Sequence, residues 1–289
     1  MSGRNITFGI VSPAGPVPVE VFDAGVAGVE KLGFGVKVFP HAREKSGYLA
    51  APAEARLADL AAAWNDPEID AVLCARGGFG SAHLLPLLDW RTMKRRDLPL
   101  LGFSDITALH LAMDKLGVGR PVAAPMLKFI PDLDADSLGA FLRVLKREDG
   151  EFNGVEVLAE GAFCGRPLAG NLTVMASLLG TPYFPDPSGR VLVLEEVGEP
   201  LYRIDRLLTQ LEQAGVFAAC SGVVAGEFTE GNFTNAELYE LVSSVVGRAG
   251  KPVVAGYPFG HKLPFRAIDF SANWVVKDGK IEQLFGRKG

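Results

Sequence analysis

Cysteine is scarce in this 289-residue sequence, and its three copies lie far apart at Cys74, Cys164 and Cys220. No two of them form a C-x-x-C pair, so the sequence predicts neither a disulfide framework nor a thiolate zinc site. The four histidines show no H-E-x-x-H spacing, and no other set of residues has the spacing of metal ligands. We therefore expect a protein that works without a metal or a cofactor.

Long apolar runs and basic stripes are also missing. No stretch of about 20 apolar residues could span a bilayer, and the N-terminal Met-Ser-Gly-Arg-Asn leads into a predicted strand without a signal-peptide core. We expect a cytoplasmic protein with no membrane partner. The formal net charge of −5 and the lack of a basic stripe argue against nucleic acid as a partner.

The first half of the chain alternates strand and helix patterns. Apolar runs predict strands at 6–12, 35–39, 71–75 and 98–103, and helical spacing predicts helices at 20–32, 53–64, 82–88 and after 104. This alternation is typical of a parallel sheet that is covered on both faces. Such sheets bind ligands beyond the carboxyl ends of their strands, where glycine- and proline-rich turns fall at 12–16, 76–80 and 102–105.

The pattern loosens into a charged connection near 131–154. The sequence therefore predicts a first domain at 1–135, a linker at 136–154 and a second domain at 155–289. Short strands are predicted at 156–158, 191–195, 222–227, 252–256, 274–277 and 280–284, with one clear helix at 203–214. The last two strands form a hairpin with Asp278-Gly279 as its turn. This half is typical of an α+β domain with a smaller, more antiparallel sheet.

A serine lies at the corner where the strand at 98–103 gives way to a helix. Helical spacing begins directly after Ser104-Asp105, at Ile106, Leu109 and Met113. This is the geometry of a nucleophile elbow, in which the hydroxyl projects beside the free N–H groups of a helix start. The alternative is that Ser104 or Asp105 only caps the helix, because both residue types are preferred N-caps.

A serine nucleophile needs a base and an acid that orients the base. His261 lies in a loop after a predicted strand, where catalytic histidines concentrate, whereas His110 fits a satisfied histidine within a helix. Glu195 and Glu196 end a strongly apolar strand, where a buried carboxylate is costly unless it is paired. Strand alternation sends the two side chains to opposite faces, and both are solvated in the alternative interpretation.

The turn Arg76-Gly-Gly-Phe-Gly80 follows a buried strand. Its glycines allow close backbone approach, so it could form an oxyanion hole, cradle a phosphate or be only a tight turn. A non-catalytic ligand-binding protein on a parallel-sheet domain therefore remains an alternative to an enzyme.

Several segments, in the same order along the chain, carry a likeness to a known family. They are Ser12-Pro-Ala-Gly15, Ala75-Arg-Gly-Gly-Phe-Gly80 with 84–89, Gly102-Phe-Ser-Asp105 with 106–109, 170–172 with 179–183, Leu194-Glu-Glu-Val-Gly-Glu199 with 202–206, and Gly260-His261. In these segments the chain resembles the L,D-carboxypeptidases of serine peptidase family S66, the muramoyltetrapeptide carboxypeptidases, a family that also includes microcin C-resistance peptidases. The resemblance implies an α/β fold with a flavodoxin-like parallel-sheet N-terminal domain and a smaller, β-rich α+β C-terminal domain.

The resemblance also assigns roles to individual residues. It implies Ser104 as nucleophile, Glu195 as acid and His261 as base, with the backbone N–H groups of Gly78 and Asp105 as the oxyanion hole. Arg76 and Gly77 are the candidates for binding substrate by their position. Arg76 could equally form a structural ion pair.

The implied activity is cytosolic removal of the terminal D-amino acid from an L,D-peptide bond of murein tetrapeptide, in peptidoglycan recycling. The alternative within the family is cleavage of aminoacyl-nucleotide peptides. We also expect a homodimer. One departure is Ala123-Ala-Pro-Met126, where family members often carry His-Gly-Pro-Met. The replaced histidine is not the base, so the change bears on substrate preference rather than on catalysis.

Overall fold

The computed structural model describes residues 5–94 and 96–286, and the chain divides into two compact units, Met1–Leu133 and Asp134–Gly289. The strands of the first unit are β1 (Thr7–Val11), β2 (Gly35–Val38), β3 (Ala71–Cys74), β4 (Pro99–Gly102) and β5 (Arg120–Ala123). Its helices are α1 (Val19–Lys31), α2 (Ala53–Asn65), α3 (Trp90–Met93) and α4 (Thr107–Leu116), with 3₁₀ turns at Ser81–Leu84, Ser104–Ile106 and Leu127–Asp132.

The five strands of the first unit run parallel in the order β2-β1-β3-β4-β5. This is the flavodoxin-like order, which confirms the predicted fold class. Strands β3, β4 and β5 are buried along their whole length, because helices cover both faces of such a sheet. Helix α4 ends at Gly117, which adopts the left-handed conformation (φ 63°) that favours glycine at a C-cap.

The strand order reverses between β1 and β3, the point where such sheets bind ligands. The loops that leave these two strands touch, because the Gly15 N–H donates to the Gly77 carbonyl at 3.0 Å. A Cβ on Gly15 would lie 2.9 Å from that oxygen, so the contact requires glycine. The two glycine-rich turns of the sequence therefore meet at the binding edge of the sheet.

The helix predicted at 82–88 is wrong in its extent. Only Ser81–Leu84 is helical, as a 3₁₀ turn. Pro86 lies inside the predicted range, and a proline lacks the backbone N–H that a continuing helix would use.

The helices of the second unit are α5 (Ala135–Lys146), α6 (Leu172–Ser177), α7 (Leu201–Gln213), α8 (Val216–Ala219) and α9 (Asn235–Gly247). Its strands are β6 (Gly150–Asn153), β7 (Glu156–Ala159), β8 (Phe163–Gly165), β9 (Pro167–Asn171), β10 (Val191–Val197), β11 (Gly222–Thr229), β12 (Val253–Ala255), β13 (Ile268–Asp269), β14 (Asn273–Lys277) and β15 (Lys280–Leu284).

Two sheets organise the second unit. In the order β7-β12-β11-β10-β9, only the pairing of β7 with β12 is antiparallel, and the other three pairings are parallel. The second sheet, β6-β15-β14-β8, is antiparallel throughout. The expected antiparallel sheet is therefore confirmed for one of the two. Its β14–β15 hairpin turns at Asp278 and Gly279, both with positive φ (51° and 72°), as two-residue hairpin turns require.

The prediction of a linker at 136–154 is wrong, because this segment contains α5 and β6 of the second unit. The Asp134 side chain caps α5 by accepting from the Ser137 N–H at 2.7 Å. An apolar face with Phe141 and Val144 is buried. In an amphipathic helix, charged residues cover the face opposite the apolar one. The charged residues of this segment therefore form the exposed face of a helix and do not mark a linker.

Helix α9 was not predicted, although the sequence carries its signal. Thr234 and Glu237 form a capping box, in which each side chain bonds to the backbone of the other residue. Leu238, Val242 and Val245 then form the buried stripe. The Thr-x-x-Glu start followed by this spacing is the local pattern that could have found the helix.

Candidate active site

Ser104 lies at a sharp corner between β4 and α4. Its φ of 62° lies in the left-handed region, and its side chain is half-buried. A nucleophile elbow holds its serine in this kind of strained turn. The capping interpretation is wrong for Asp105, because its carboxylate accepts from the Ser81 N–H at 2.9 Å. The N-cap residue of α4 is Ile106, which has no side chain that could cap the helix.

The turn after β3 packs directly against this serine. A Cβ on Gly77 would lie 3.0 Å from Ser104 Oγ and 3.3 Å from the Asp105 nitrogen, which leaves no room for a side chain. The Ser81 hydroxyl donates to the Asp105 carbonyl at 2.6 Å and holds the residue after the serine in place. Backbone N–H groups fixed beside a nucleophile are suited to stabilising an oxyanion.

A buried arginine supports the same turn, and the sequence analysis did not predict this role. Arg56 on α2 is 2% exposed, and its Nη1 donates to the carbonyls of Pro13 (2.5 Å) and Gly80 (2.8 Å). It therefore ties the loop after β1 to the loop after β3. Burial lowers the pKa of the Arg56 guanidinium. No local pattern announces this role, since Pro13 is 43 positions away in the sequence.

The second unit pairs the predicted acid with the predicted base. His261 Nδ1 lies 2.8 Å from Glu195 Oε2, and the Glu195 side chain is fully buried in the C-terminal half of β10. Gly260, at φ 152°, allows this approach, because a Cβ there would lie 2.7 Å from the Glu227 Cβ and 3.4 Å from the Glu195 Cβ. A histidine that donates from Nδ1 to a carboxylate is set to accept a proton at Nε2. Burial raises the pKa of the Glu195 carboxyl, and the hydrogen bond with His261 opposes that rise.

The neighbouring Glu196 is also buried, so the interpretation that both glutamates are solvated is wrong. Its carboxylate accepts from Asn171 Nδ2 (2.8 Å), the Thr173 N–H (2.8 Å) and the Val197 N–H (2.9 Å). These donors lie at the start of α6 and within β10. Glu196 therefore fastens α6 to the sheet, while Glu195 turns to the histidine.

Two other histidines have structural partners. His110 on α4 is buried, and its Nε2 lies 3.0 Å from the Leu100 carbonyl, so this ring nitrogen has a backbone partner. His41 forms a second histidine–carboxylate pair, with Nδ1 2.8 Å from Asp59 Oδ1. The hydrogen bond with Asp59 raises the pKa of His41. Because Asp59 also accepts from the His41 backbone N–H at 2.9 Å, this pair ties a loop to α2.

The described residues contain neither a metal-binding cluster nor a membrane-spanning helix. Among residues 5–94 and 96–286, no group of three or more His, Cys, Asp or Glu side chains could hold a metal ion. In the same part of the chain, no helix has both the length and the apolar character needed to cross a membrane.

A strained serine beside a backbone turn and a buried carboxylate–histidine pair are the components of a serine hydrolase. Residues 8–120 match the LD-carboxypeptidase N-terminal domain, and residues 164–274 match the LD-carboxypeptidase C-terminal domain. The chain belongs to the LD-carboxypeptidases of peptidase family S66. It is a serine-type carboxypeptidase.

Curated relatives and a solved structure extend this result. A putative carboxypeptidase of Streptomyces coelicolor is 40% identical over 87% of this chain and 84% of its own length. The murein tetrapeptide carboxypeptidase of Pseudomonas aeruginosa is 32% identical over 94% of this chain and 93% of its own length. The crystal structure of a muramoyltetrapeptide carboxypeptidase from Oxalobacter formigenes superposes with a TM-score of 0.87, at 27% identity, over 96% of this chain and 97% of that one.

Proposed function

We propose that this carboxypeptidase removes the terminal D-amino acid from murein tetrapeptide by cleaving an L,D-peptide bond, with Ser104, Glu195 and His261 as its triad. The observation that carries the assignment of acid and base is the 2.8 Å contact between His261 Nδ1 and the fully buried Glu195 carboxylate. The murein substrate is suggested by the relatives of P. aeruginosa and O. formigenes, whose names state that class of peptide.

The proposed reaction has two halves. Ser104 Oγ attacks the scissile carbonyl carbon while His261 takes the hydroxyl proton, and Glu195 stabilises the resulting imidazolium. The C–N bond then breaks, His261 returns the proton to the departing amine, and the terminal amino acid leaves. Water attacks the acyl-enzyme in the second half, again with His261 as base, and releases the shortened peptide and Ser104.

The oxyanion of each tetrahedral intermediate needs donors that are in place before it forms. We assign this role to the backbone N–H groups of Gly78 and Asp105. The packing of Gly77 against Ser104 Oγ and the bonds from Ser81 to Asp105 support the assignment, because they fix both backbone segments beside the nucleophile.

The physiological setting belongs to the same proposal. Murein tetrapeptide released by cell-wall turnover is the inferred substrate, and the cytoplasm is the inferred compartment. The expected homodimer stays a prediction, which sedimentation analysis of the purified chain would check.

The test is a substrate panel with the purified protein. The panel compares kcat/KM for three compounds: murein tetrapeptide ending in D-Ala, its L-Ala epimer and an aspartyl-adenylate analogue. A serine-reactive phosphonate fluorophore is used separately to label the nucleophile. We expect labelling of Ser104 and a clear preference for the D-Ala peptide. Preference for the adenylate analogue would move the chain to the aminoacyl-nucleotide substrates, and a protein that is neither labelled nor active would be a ligand-binding protein.

A further inference from the structure

Two cationic side chains lie together at the end of β3, next to the glycine turn. The Lys128 N–H donates to the carbonyl of Ala75 at 3.2 Å, which places Lys128 beside Arg76 in space. Arg76 Nη1 donates to the Pro16 carbonyl at 2.9 Å. Arg76 and Lys128 are both partly buried.

No carboxylate neutralises this pair within the described residues, where neither cation lies within 4.0 Å of an acidic oxygen. The structural ion pair considered for Arg76 is therefore wrong, since its partner is a backbone carbonyl. Burial and the charge of Arg76 both lower the pKa of Lys128. Two partly buried like charges are costly unless an anion compensates them.

Both cationic residues lie close to Ser104 through a chain of neighbouring residues. Arg76 precedes Gly77, whose missing Cβ would lie 3.0 Å from Ser104 Oγ. Lys128 Nζ lies 4.3 Å from the centre of the Phe129 ring, and that ring lies 5.5 Å from the ring of Phe103, the residue before Ser104. An anion held by the two side chains would therefore sit close to the reacting serine.

We propose that Arg76 and Lys128 together bind the free α-carboxylate of the C-terminal residue that the enzyme removes. In an exopeptidase that carboxylate lies one residue beyond the scissile bond, and consecutive Cα atoms are about 3.8 Å apart, which long basic side chains can bridge. Arg76 supplies planar N–H donors and Lys128 a point charge. The assignment rests on the proposed function, because it takes Ser104 as the reacting group and murein tetrapeptide as the substrate.

Binding by the inactive enzyme tests the subsite apart from turnover. In a Ser104→Ala background, titration calorimetry compares murein tetrapeptide with the same peptide carrying a C-terminal amide. We expect the free acid to bind at least about tenfold more tightly, a difference of about 1.4 kcal/mol. Adding Lys128→Met keeps the apolar stem of the side chain but should remove most of the preference for the free acid. Lys128→Arg should retain the preference.

Lys115→Met is the matched control, because Lys115 is an exposed lysine of the same unit, on α4. It should leave the preference for the acid unchanged. Equal binding of acid and amide, or a full preference in a Lys128→Met protein whose melting temperature matches its parent, would overturn the subsite. Hydrolysis of the tetrapeptide by the wild-type enzyme, measured separately, shows whether the proposed function itself stands.

Discussion

Glu195 and Glu196 are adjacent, chemically identical and both buried, yet they have different partners. Glu195 has its contact with the imidazole of His261, and Glu196 is satisfied by three N–H donors of the surrounding backbone and of Asn171. The first can respond to a charge that forms on the histidine, whereas the second has its hydrogen-bonding capacity committed to the fold. This difference supports the proposal that Glu195 is the acid of the triad.

The two glutamates can be separated by substitution with glutamine. Glu195→Gln should lower kcat by about 10⁴-fold, the cost of the equivalent change in another serine protease triad, because glutamine cannot stabilise the imidazolium. Glu196→Gln should keep kcat within about tenfold but lower the free energy of unfolding by about 1.5–3 kcal/mol, the range for a hydrogen bond to a charged group. Steady-state kinetics and thermal melts of both variants decide this. If Glu196→Gln is the inactive one, Glu196 is the acid.

Two substitutions separate the proposed nucleophilic role of Ser104 from the effect of its strained backbone. Ser104→Ala should reduce kcat by about 10⁴-fold or more and leave the protein folded. Ser104→Gly should be equally inactive but more stable, by about 1 kcal/mol, because glycine adopts a φ of 62° without penalty. Activity assays and denaturant unfolding check both expectations. Near-normal activity in folded Ser104→Ala would remove the serine from the mechanism.

At the scale of elements, the turn after β3 is matched to the corner after β4. A Cβ on Gly77 would lie 2.9 Å from the Ser104 Cβ, so one of the two segments must shift to accept it. Gly77→Ala should therefore lower kcat/KM by about 100-fold, the cost of displacing a reacting group by about 1 Å. The control is Gly247→Ala at the end of α9, where a Cβ meets nothing within 4 Å. Equal activity of the two variants would contradict the close fit.

Helix α4 carries a buried histidine, His110, from which we expect the stability of the fold to depend on pH. Burial lowers the pKa of His110 to about 4, whereas an unfolded chain titrates its histidines near pH 6.5. Between these values the unfolded state binds more protons, so the free energy of unfolding falls as the pH is lowered, by about 1.4 kcal/mol per pH unit.

His110→Gln removes this titration and keeps a donor for the Leu100 carbonyl. We expect the free energies of unfolding of wild type and variant, measured in urea from pH 7.5 to 4.5, to converge as the pH falls. The carboxylates titrate in both proteins and cancel in the comparison. Parallel curves would show that His110 does not titrate in this range.

At the scale of the whole molecule, the proposed peptide hydrolysis uses only protein side chains and backbone N–H groups. The described residues contain no cluster of metal ligands. We expect peptidase activity to survive exhaustive treatment with EDTA and dialysis into metal-free buffer. Recovery of a lost activity on adding zinc would show that a metal site takes part.

Local patterns in the sequence were enough to predict the parallel sheet of the first unit and the corner at Ser104, whereas its flavodoxin-like fold was implied by the family resemblance. Continuous apolar runs indicate buried strands, and the spacing after Ile106 indicates a helix. Both signals extend over only a few neighbouring residues, so they can be recognised without a structure. The errors at 136–154 and at α9 have a different origin. The charged face of α5 resembled a linker, and the capping box of α9 was overlooked although it is a local signal.

Only the tertiary structure decided which groups lie next to each other. Glu195 and His261 are 66 positions apart, and Arg56 and Pro13 are 43 positions apart. Lys128 becomes a neighbour of Arg76 only because its N–H bonds to the end of β3. Contacts of this kind depend on how strands are ordered and how loops pack, and no short-range period in the sequence encodes them. The sequence by itself determined the elements and the reactive residue types, whereas packing determined the partner, burial and charge environment of each residue.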